Sequence, residues 1–367
     1  MPSHGLFATP ARRRPALYPR VGREVAWRCD APTGTTPSRG IAIKLKEKVS
    51  ILLGFTLLTV SPGHLSTACP ADEKTPLGPG EQALTIRAGD LNRSYIVHVP
   101  RSYDGKSRLP LVIMFHGAGG TARGAMRQTG WAAKADEAGF FAIFPEATRP
   151  DQARPARFRG NPQIWNDGSG RAHAGHRNID DVAFINSLMD DLEARFAIDP
   201  RRIYVTGFSN GASMAFRLGI ELSDRIAAIG PVAGHLWMNN QRPARSVSLA
   251  FIAGAKDPVN PLDEARARRP GGRSIEKPPL RLSLLSWTKM IGCSLRPKVA
   301  RDENGVKTLD YGPCDGKAEV VFYIIEGMGH TWPGGKNRLP EWMVGKTTDK
   351  LNATDVLWEF FQGHPMG

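Results

Sequence analysis

Arg202-Ile203-Tyr204-Val205-Thr206-Gly207-Phe208-Ser209-Asn210-Gly211-Ala212-Ser213-Met214-Ala215-Phe216-Arg217-Leu218 is the stretch that decides the fold. Its opening run, through Val205 and Thr206, is β-branched and aromatic and reads as a short buried strand. Its closing run, from Ala212, has good helix formers with apolar residues at helical spacing. Between them, Gly207 to Gly211 has the Gly-x-Ser-x-Gly spacing. Alone that pentapeptide is weak. Between a strand and a helix it predicts a sharp turn that presents Ser209 as a nucleophile. The turn strains the backbone at the serine, and small residues two places to either side let strand and helix approach closely.

Outward from this elbow, strands and helices alternate. Strands are predicted at 94–99, 109–115, 140–144, 248–253 and 320–325. Helical spacing appears at 131–136, at 180–196 and around 282–290, and Asn352 caps a last helix that carries Val356, Leu357, Phe360 and Phe361. Alternation of this kind implies an α/β fold with a mostly parallel sheet covered by helices on both faces. Asp151 to Gly175 reads as one long loop, rich in Gly, Arg and Asn.

Active-site groups of such sheets sit on loops at the carboxyl ends of strands. Reading those loops gives Ser209, then Asp257 in Gly254–Val259, then His330 in Gly327–Gly335. Ser, Asp, His is the chain order of α/β-hydrolases. A serine hydroxyl is a poor nucleophile unassisted. His330 can take its proton, and Asp257 would fix the imidazole tautomer. Asp263 or Asp310 stays open as the acid, and His235 or His364 as the base. The developing oxyanion needs donors. One is expected from the Asn210 N–H, the other from Ala118, with Gly117 next, in the loop His116-Gly117-Ala118-Gly119-Gly120. His116 is expected to brace that loop rather than move protons. No His/Cys cluster has metal-ligand spacing, and no cofactor or metal is expected.

The chain has 367 residues, 41% apolar and 23% charged, with a net charge of +14. Half of that excess lies in residues 1–48, where ten basic residues face three acidic ones. The remainder forms no basic stripe, which argues against a nucleic-acid partner. Lys44, Lys46 and Lys48 precede an apolar run from Val49 to Val60 and then Ser66-Thr67-Ala68-Cys69. This reads as a secretory signal, the run being too short for a comfortable membrane span. The organisation is then an extension or mis-assigned start (1–40), a signal peptide (41–68), a linker (69–83) and one catalytic domain (84–363). Cleavage after Ala68 and lipidation of Cys69 both fit, so the only membrane contact expected is a lipid anchor at Cys69. Cys293 and Cys314, 21 residues apart in an exported domain, read as one disulfide. Oligomeric state is not legible.

Taken together, His116–Gly120, Asn178–Ile185, Ile198–Ala212 and Gly329–Gly335 resemble the poly(3-hydroxybutyrate) depolymerase/feruloyl esterase family. The resemblance runs from about residue 84 to 363. It implies an exported α/β-hydrolase acting on carboxylic esters without a metal, and its cysteine pair matches Cys293 and Cys314. It also implies Ser209 as nucleophile, His330 as base, Asp257 as acid and Ala118 and Asn210 as oxyanion donors. Only 37 residues follow His330, so oligomeric hydroxyalkanoates or small acyl and aryl esters are expected rather than crystalline polymer. Trp165 and Trp332 are candidates for the acyl or aryl wall. An acyltransferase or peptidase on the same fold, and a catalytically silent surface-binding protein, remain as other readings.

Overall fold

The computed structural model of the protein describes residues 77–238, 240–268, 274–337 and 339–367. The extension, the signal and Cys69 lie outside the described residues. Among the described residues there are twelve strands: β1 (Gly80–Ala88), β2 (Leu91–Val99), β3 (Leu109–Phe115), β4 (Phe141–Pro145), β5 (Ile198–Phe208), β6 (Ala228–Val232), β7 (Ser248–Gly254), β8 (Arg266–Arg268), β9 (Ser274–Glu276), β10 (Lys298–Glu303), β11 (Val306–Asp310) and β12 (Val320–Ile325). The helices are α1 (Ala122–Thr129), α2 (Trp131–Ala138), α3 (Ala172–His176), α4 (Asp181–Arg195), α5 (Asn210–Glu221), α6 (Leu280–Met290), α7 (Glu341–Val344) and α8 (Ala353–Gly363).

Ten strands form one sheet in the order β1-β2-β4-β3-β5-β6-β7-β12-β11-β10. The pairs joining β4, β3, β5, β6, β7 and β12 are parallel, and antiparallel strands extend the sheet at both ends. Parallel strands buried on both faces need continuous apolar runs, and β3, β4 and β7 supply them. One core packs Phe184, Leu188 and Leu192 of α4, Phe216 of α5 and Trp287 of α6 against one face. The other face is covered by Met126 of α1, Trp131 of α2 and Leu357, Trp358 and Phe361 of α8. Tyr204 stacks on Phe361 at 4.8 Å, and Phe140 on Trp358 at 4.1 Å. Each such side chain contributes about 1.5–3 kcal/mol by leaving water. The expected Cys293–Cys314 disulfide is formed, and it ties the end of α6 to the segment between β11 and β12.

Several elements escaped the sequence reading, β1, α1, β6 and β10 among them, along with the short β8, β9, β11, α3 and α7. β6 carries Gly230 and Pro231 inside a fully buried strand, both of which argue against a strand. Gly230 is needed there because a Cβ would lie 2.8 Å from Leu357 and 2.9 Å from Phe361. β10 is exposed along its whole length and largely charged, so it has no apolar alternation. The Asn304-Gly305 turn, with φ of 53° and 71°, is nevertheless a strong hairpin signal joining it to β11. β1 is a half-buried strand at the sheet edge, and α1 is a short helix capped by Thr121.

Candidate active site

β5 ends at Phe208 and α5 begins at Asn210, so Ser209 alone makes the turn. Its φ of 56° and ψ of −115° put a non-glycine residue in the positive-φ region, a strain of about 1–3 kcal/mol. The conformation is held by the Ser209 N–H donating to Val232 O at 2.9 Å and by Ser213 N–H donating to Ser209 O at 3.0 Å. The flanking glycines are there for space. A Cβ on Gly207 would lie 2.3 Å from Gly211 O, and one on Gly211 would lie 2.3 Å from Phe115 O.

The loops after β7 and β12 meet beside this turn. Lys256 N–H donates to Met328 O at 2.9 Å, and a Cβ on Gly254 would be 2.3 Å from the same oxygen. His330 is fixed by its own N–H donating to Val344 O of α7 at 2.5 Å. His330 Nε2 lies 2.8 Å from Ser209 Oγ, and His330 Nδ1 lies 2.7 Å from Asp257 Oδ2. Asp257 Oδ1 accepts the N–H groups of Val259 and Asn260, both at 2.8 Å. A carboxylate only accepts, so the imidazole proton sits on Nδ1 and Nε2 is free to accept from the serine. Asp257 is 4% exposed and His330 6%, which keeps this relay out of bulk water.

The alternative acids and bases lie elsewhere. Asp263 pairs with Arg281, and Asp310 Oδ1 accepts Gly312 N–H at 2.7 Å. His235 Nε2 faces Pro278 O at 2.9 Å, and burial pushes its pKa down to about 3. His364 Nδ1 faces Phe360 O at 2.6 Å.

The His116–Gly120 loop follows β3 and lies directly against the serine, where a Cβ on Gly117 would be 3.4 Å from Ser209 Cβ. Burial lowers the His116 pKa to about 4, so this ring is neutral at ordinary pH. Its Nε2 accepts Ala147 N–H at 3.2 Å, which leaves the proton on Nδ1, 2.8 Å from Gly117 O. Glu146 Oε2 stands 3.7 Å from Nε2, but with the ring neutral the contact is not an ion pair. Gly117 O also accepts Gly120 N–H at 2.9 Å. Both bonds fix the peptide whose other end is Ala118 N–H. Among the described residues neither Ala118 N–H nor Asn210 N–H has a protein acceptor. Asn210 N–H is also at the start of a twelve-residue helix, where the backbone dipoles favour negative charge.

Trp165 and Trp332, expected as walls of the pocket, are instead 0% and 1% exposed. Trp332 Nε1–H donates to Thr354 Oγ1 at 3.2 Å within the α8 core, and the Trp165 ring packs edge-on against Phe115 at 5.0 Å. Neither indole presents a face to an entering substrate, so that expectation is corrected. The aromatic rings that do stand near the site are Phe208, 4.8 Å from the His330 ring, and Phe158. Phe158 is 44% exposed and lies where a Cβ on Gly119 would touch it at 2.7 Å. Sequence reasoning had passed over both rings, and it missed Val344 because nothing in a four-residue helix marks its carbonyl as a partner of His330.

Residues 93–272 match the family model described as Esterase PHB depolymerase. Over those residues, just under half of the chain, the sequence is similar to this esterase family. A Nocardia uniformis subsp. tsuyamanensis protein named as an esterase, NocK, is 26% identical over 360 residues, which is 90% of this chain and 99% of that one. Feruloyl esterase B of Piromyces equi is 29% identical over 251 residues, 66% of this chain and 44% of its own length. The chain therefore spans the whole of one relative and under half of the other. Native pOPH, a solved structure, is 17% identical with a TM-score of 0.52 over 82% of this chain and 91% of its own, a likeness of fold alone. The esterase domain has the α/β-hydrolase fold. Its family match covers Ser209 and Asp257 and ends before His330, so the histidine rests on the geometry described above. Among the described residues no helix is long and apolar enough to cross a membrane.

Proposed function

We propose that this chain is an exported serine carboxylic-ester hydrolase that works through an acyl-enzyme. The observation that carries this reading is the continuous relay from Ser209 Oγ through His330 to Asp257, with contacts of 2.8 and 2.7 Å. Ser209 Oγ attacks the ester carbonyl as its proton passes to His330 Nε2. Asp257 stabilises the imidazolium that results. The alkoxide oxygen of the tetrahedral intermediate is received by Ala118 N–H and Asn210 N–H. Collapse expels the alcohol, which takes the proton from His330. Water then repeats the sequence to free the acid and regenerate Ser209.

Soluble hydroxyalkanoate oligomers and small acyl or aryl esters are the substrates this reading favours. Phe208 and Phe158 flank the oxyanion loop with apolar surface, which suits a compact acyl or aryl group. The Arg-rich segment from Arg149 to Arg159 is taken as solvated surface: the Arg149 guanidinium is spent on the carbonyls of Gln152 and Arg154. Export rests on the basic and apolar run before Ala68, with Cys69 as the candidate lipid anchor.

A rate panel tests the reading. p-Nitrophenyl acetate and butyrate, methyl ferulate, acetylated xylan and hydroxybutyrate oligomers are compared at one pH. Hydrolysis of at least one short-chain or aryl ester is the expected result. Absence of turnover on every ester, from folded protein, would contradict it.

A further inference from the structure

The segment from Gln163 to Asp167 touches both halves of the oxyanion site at once. On the side of the β3 loop, Gly119 N–H donates to Gln163 O at 2.7 Å, and Trp165 Nε1–H donates to His116 O at 3.0 Å. On the side of the nucleophile helix, Trp165 N–H donates to Asn210 Oδ1 at 2.8 Å. Asn210 Nδ2 donates to Trp165 O at 3.2 Å and to Asp167 Oδ2 at 2.8 Å. The strap is itself anchored from behind. Asn166 N–H donates to Asp181 Oδ2 at 2.7 Å, and Asp181, fully buried, is held by Arg93 at 2.6 Å.

We propose that Trp165 is a positioning residue for the oxyanion hole, the middle of a strap that sets the distance between Ala118 N–H and Asn210 N–H. This rests on the esterase reading above. The two donors come from different strand ends, β3 and β5, and the hole works only if both converge on one oxygen atom. His116 and Gly120 fix the tilt of the Ala118 peptide, but they belong to the same loop and cannot fix its separation from α5. Trp165 spans that gap through three hydrogen bonds and a buried ring. Asn210 thereby has two separable duties. Its backbone N–H faces the oxyanion, and its side-chain amide grips the strap.

Displacing a donor without deleting it weakens transition-state binding and leaves ground-state binding of substrate nearly unchanged. Trp165→Phe removes the N–H to His116 O and leaves a smaller aromatic ring in the same packed position. Asn210→Ala keeps the backbone N–H and releases the strap from the other end. Each single variant is expected to lose about 10-fold in kcat on p-nitrophenyl butyrate, with KM within about twofold. Affinity for a trifluoromethyl ketone analogue of the tetrahedral intermediate should fall in parallel with kcat/KM. Because either change frees the same strap, the double variant is expected to lose far less than the roughly 100-fold product of the two single losses.

The measurements are made on protein whose melting curve shows it folded, with Asn210→Ala serving if Trp165→Phe fails to fold. Unchanged kcat in both single variants overturns the proposal. So does a double variant whose loss equals the product of the singles, since independent residues would behave that way. If Ser209→Ala hydrolyses esters as well as wild type, the esterase reading itself has failed; if Ser209→Ala is inactive and the strap variants are not, only the strap has.

Discussion

Ser209→Ala should lower kcat on p-nitrophenyl butyrate by roughly 10⁵-fold while leaving the protein folded. The size follows from what the hydroxyl does. Without Oγ there is no acyl-enzyme, and His330 and Asp257 are left to activate water at a position they are not arranged to serve. The residue that remains in the turn keeps the same strained φ of 56°, because the strain is imposed by the bonds from Ser209 N–H to Val232 O and from Ser213 N–H to Ser209 O. Both are main-chain contacts that alanine retains. The melting midpoint should therefore move by no more than about 3 °C. Steady-state hydrolysis and a thermal melt, run on the same preparation, check both halves. A variant that retains a tenth of the wild-type rate would remove Ser209 from the reaction.

Gly211→Ala should destabilise the elbow strongly, although it adds a single methyl group. The added Cβ would sit 2.3 Å from Phe115 O, and 2.6 Å from both His116 O and Phe115 C, all of them backbone atoms. No side-chain rotation can relieve contacts with main chain. α5 must therefore move away from β3, which separates the nucleophile from the loop that carries Ala118. A loss of about 3 kcal/mol, or a fall in melting midpoint of roughly 10 °C, is expected. Activity should drop even in the fraction that stays folded. Gly363→Ala is the matched control, since nothing lies within 4 Å of its Cβ position. An unchanged midpoint for Gly211→Ala would mean that strand and helix do not approach as closely as described.

The fold was legible wherever burial on both faces wrote a continuous apolar run. β3, β4 and β7 are of this kind, β12 is apolar though only partly buried, and the flanking pattern of α4 and α8 completed the alternation. What escaped was set by tertiary contact. β6 accepts Gly230 and Pro231 because α8 presses on one face and β5 and β7 supply the pairing on either side. No local propensity encodes that. The serine elbow and the loops that bring Asp257 and His330 beside Ser209 were legible because particular residue types stand at the ends of readable strands. Trp165 and Trp332 were misread for a related reason. A tryptophan near a functional loop carries the same letter whether it faces a ligand or buttresses the loop from beneath. Only burial separates the two, and both rings are buried. The side chain of Asn210 was equally silent, because its grip on Trp165 spans 45 residues of sequence.

The central claim is that Ser209 is a nucleophile activated by His330, and covalent capture tests it most directly. Folded protein is treated with a fluorophosphonate, digested, and the modified peptide located by mass spectrometry. One adduct per chain, on the peptide containing Ser209, is expected, with none in Ser209→Ala and much slower capture in His330→Ala. An unmodified Ser209 in folded wild-type protein, or a full-rate adduct on another residue in Ser209→Ala, would contradict the account.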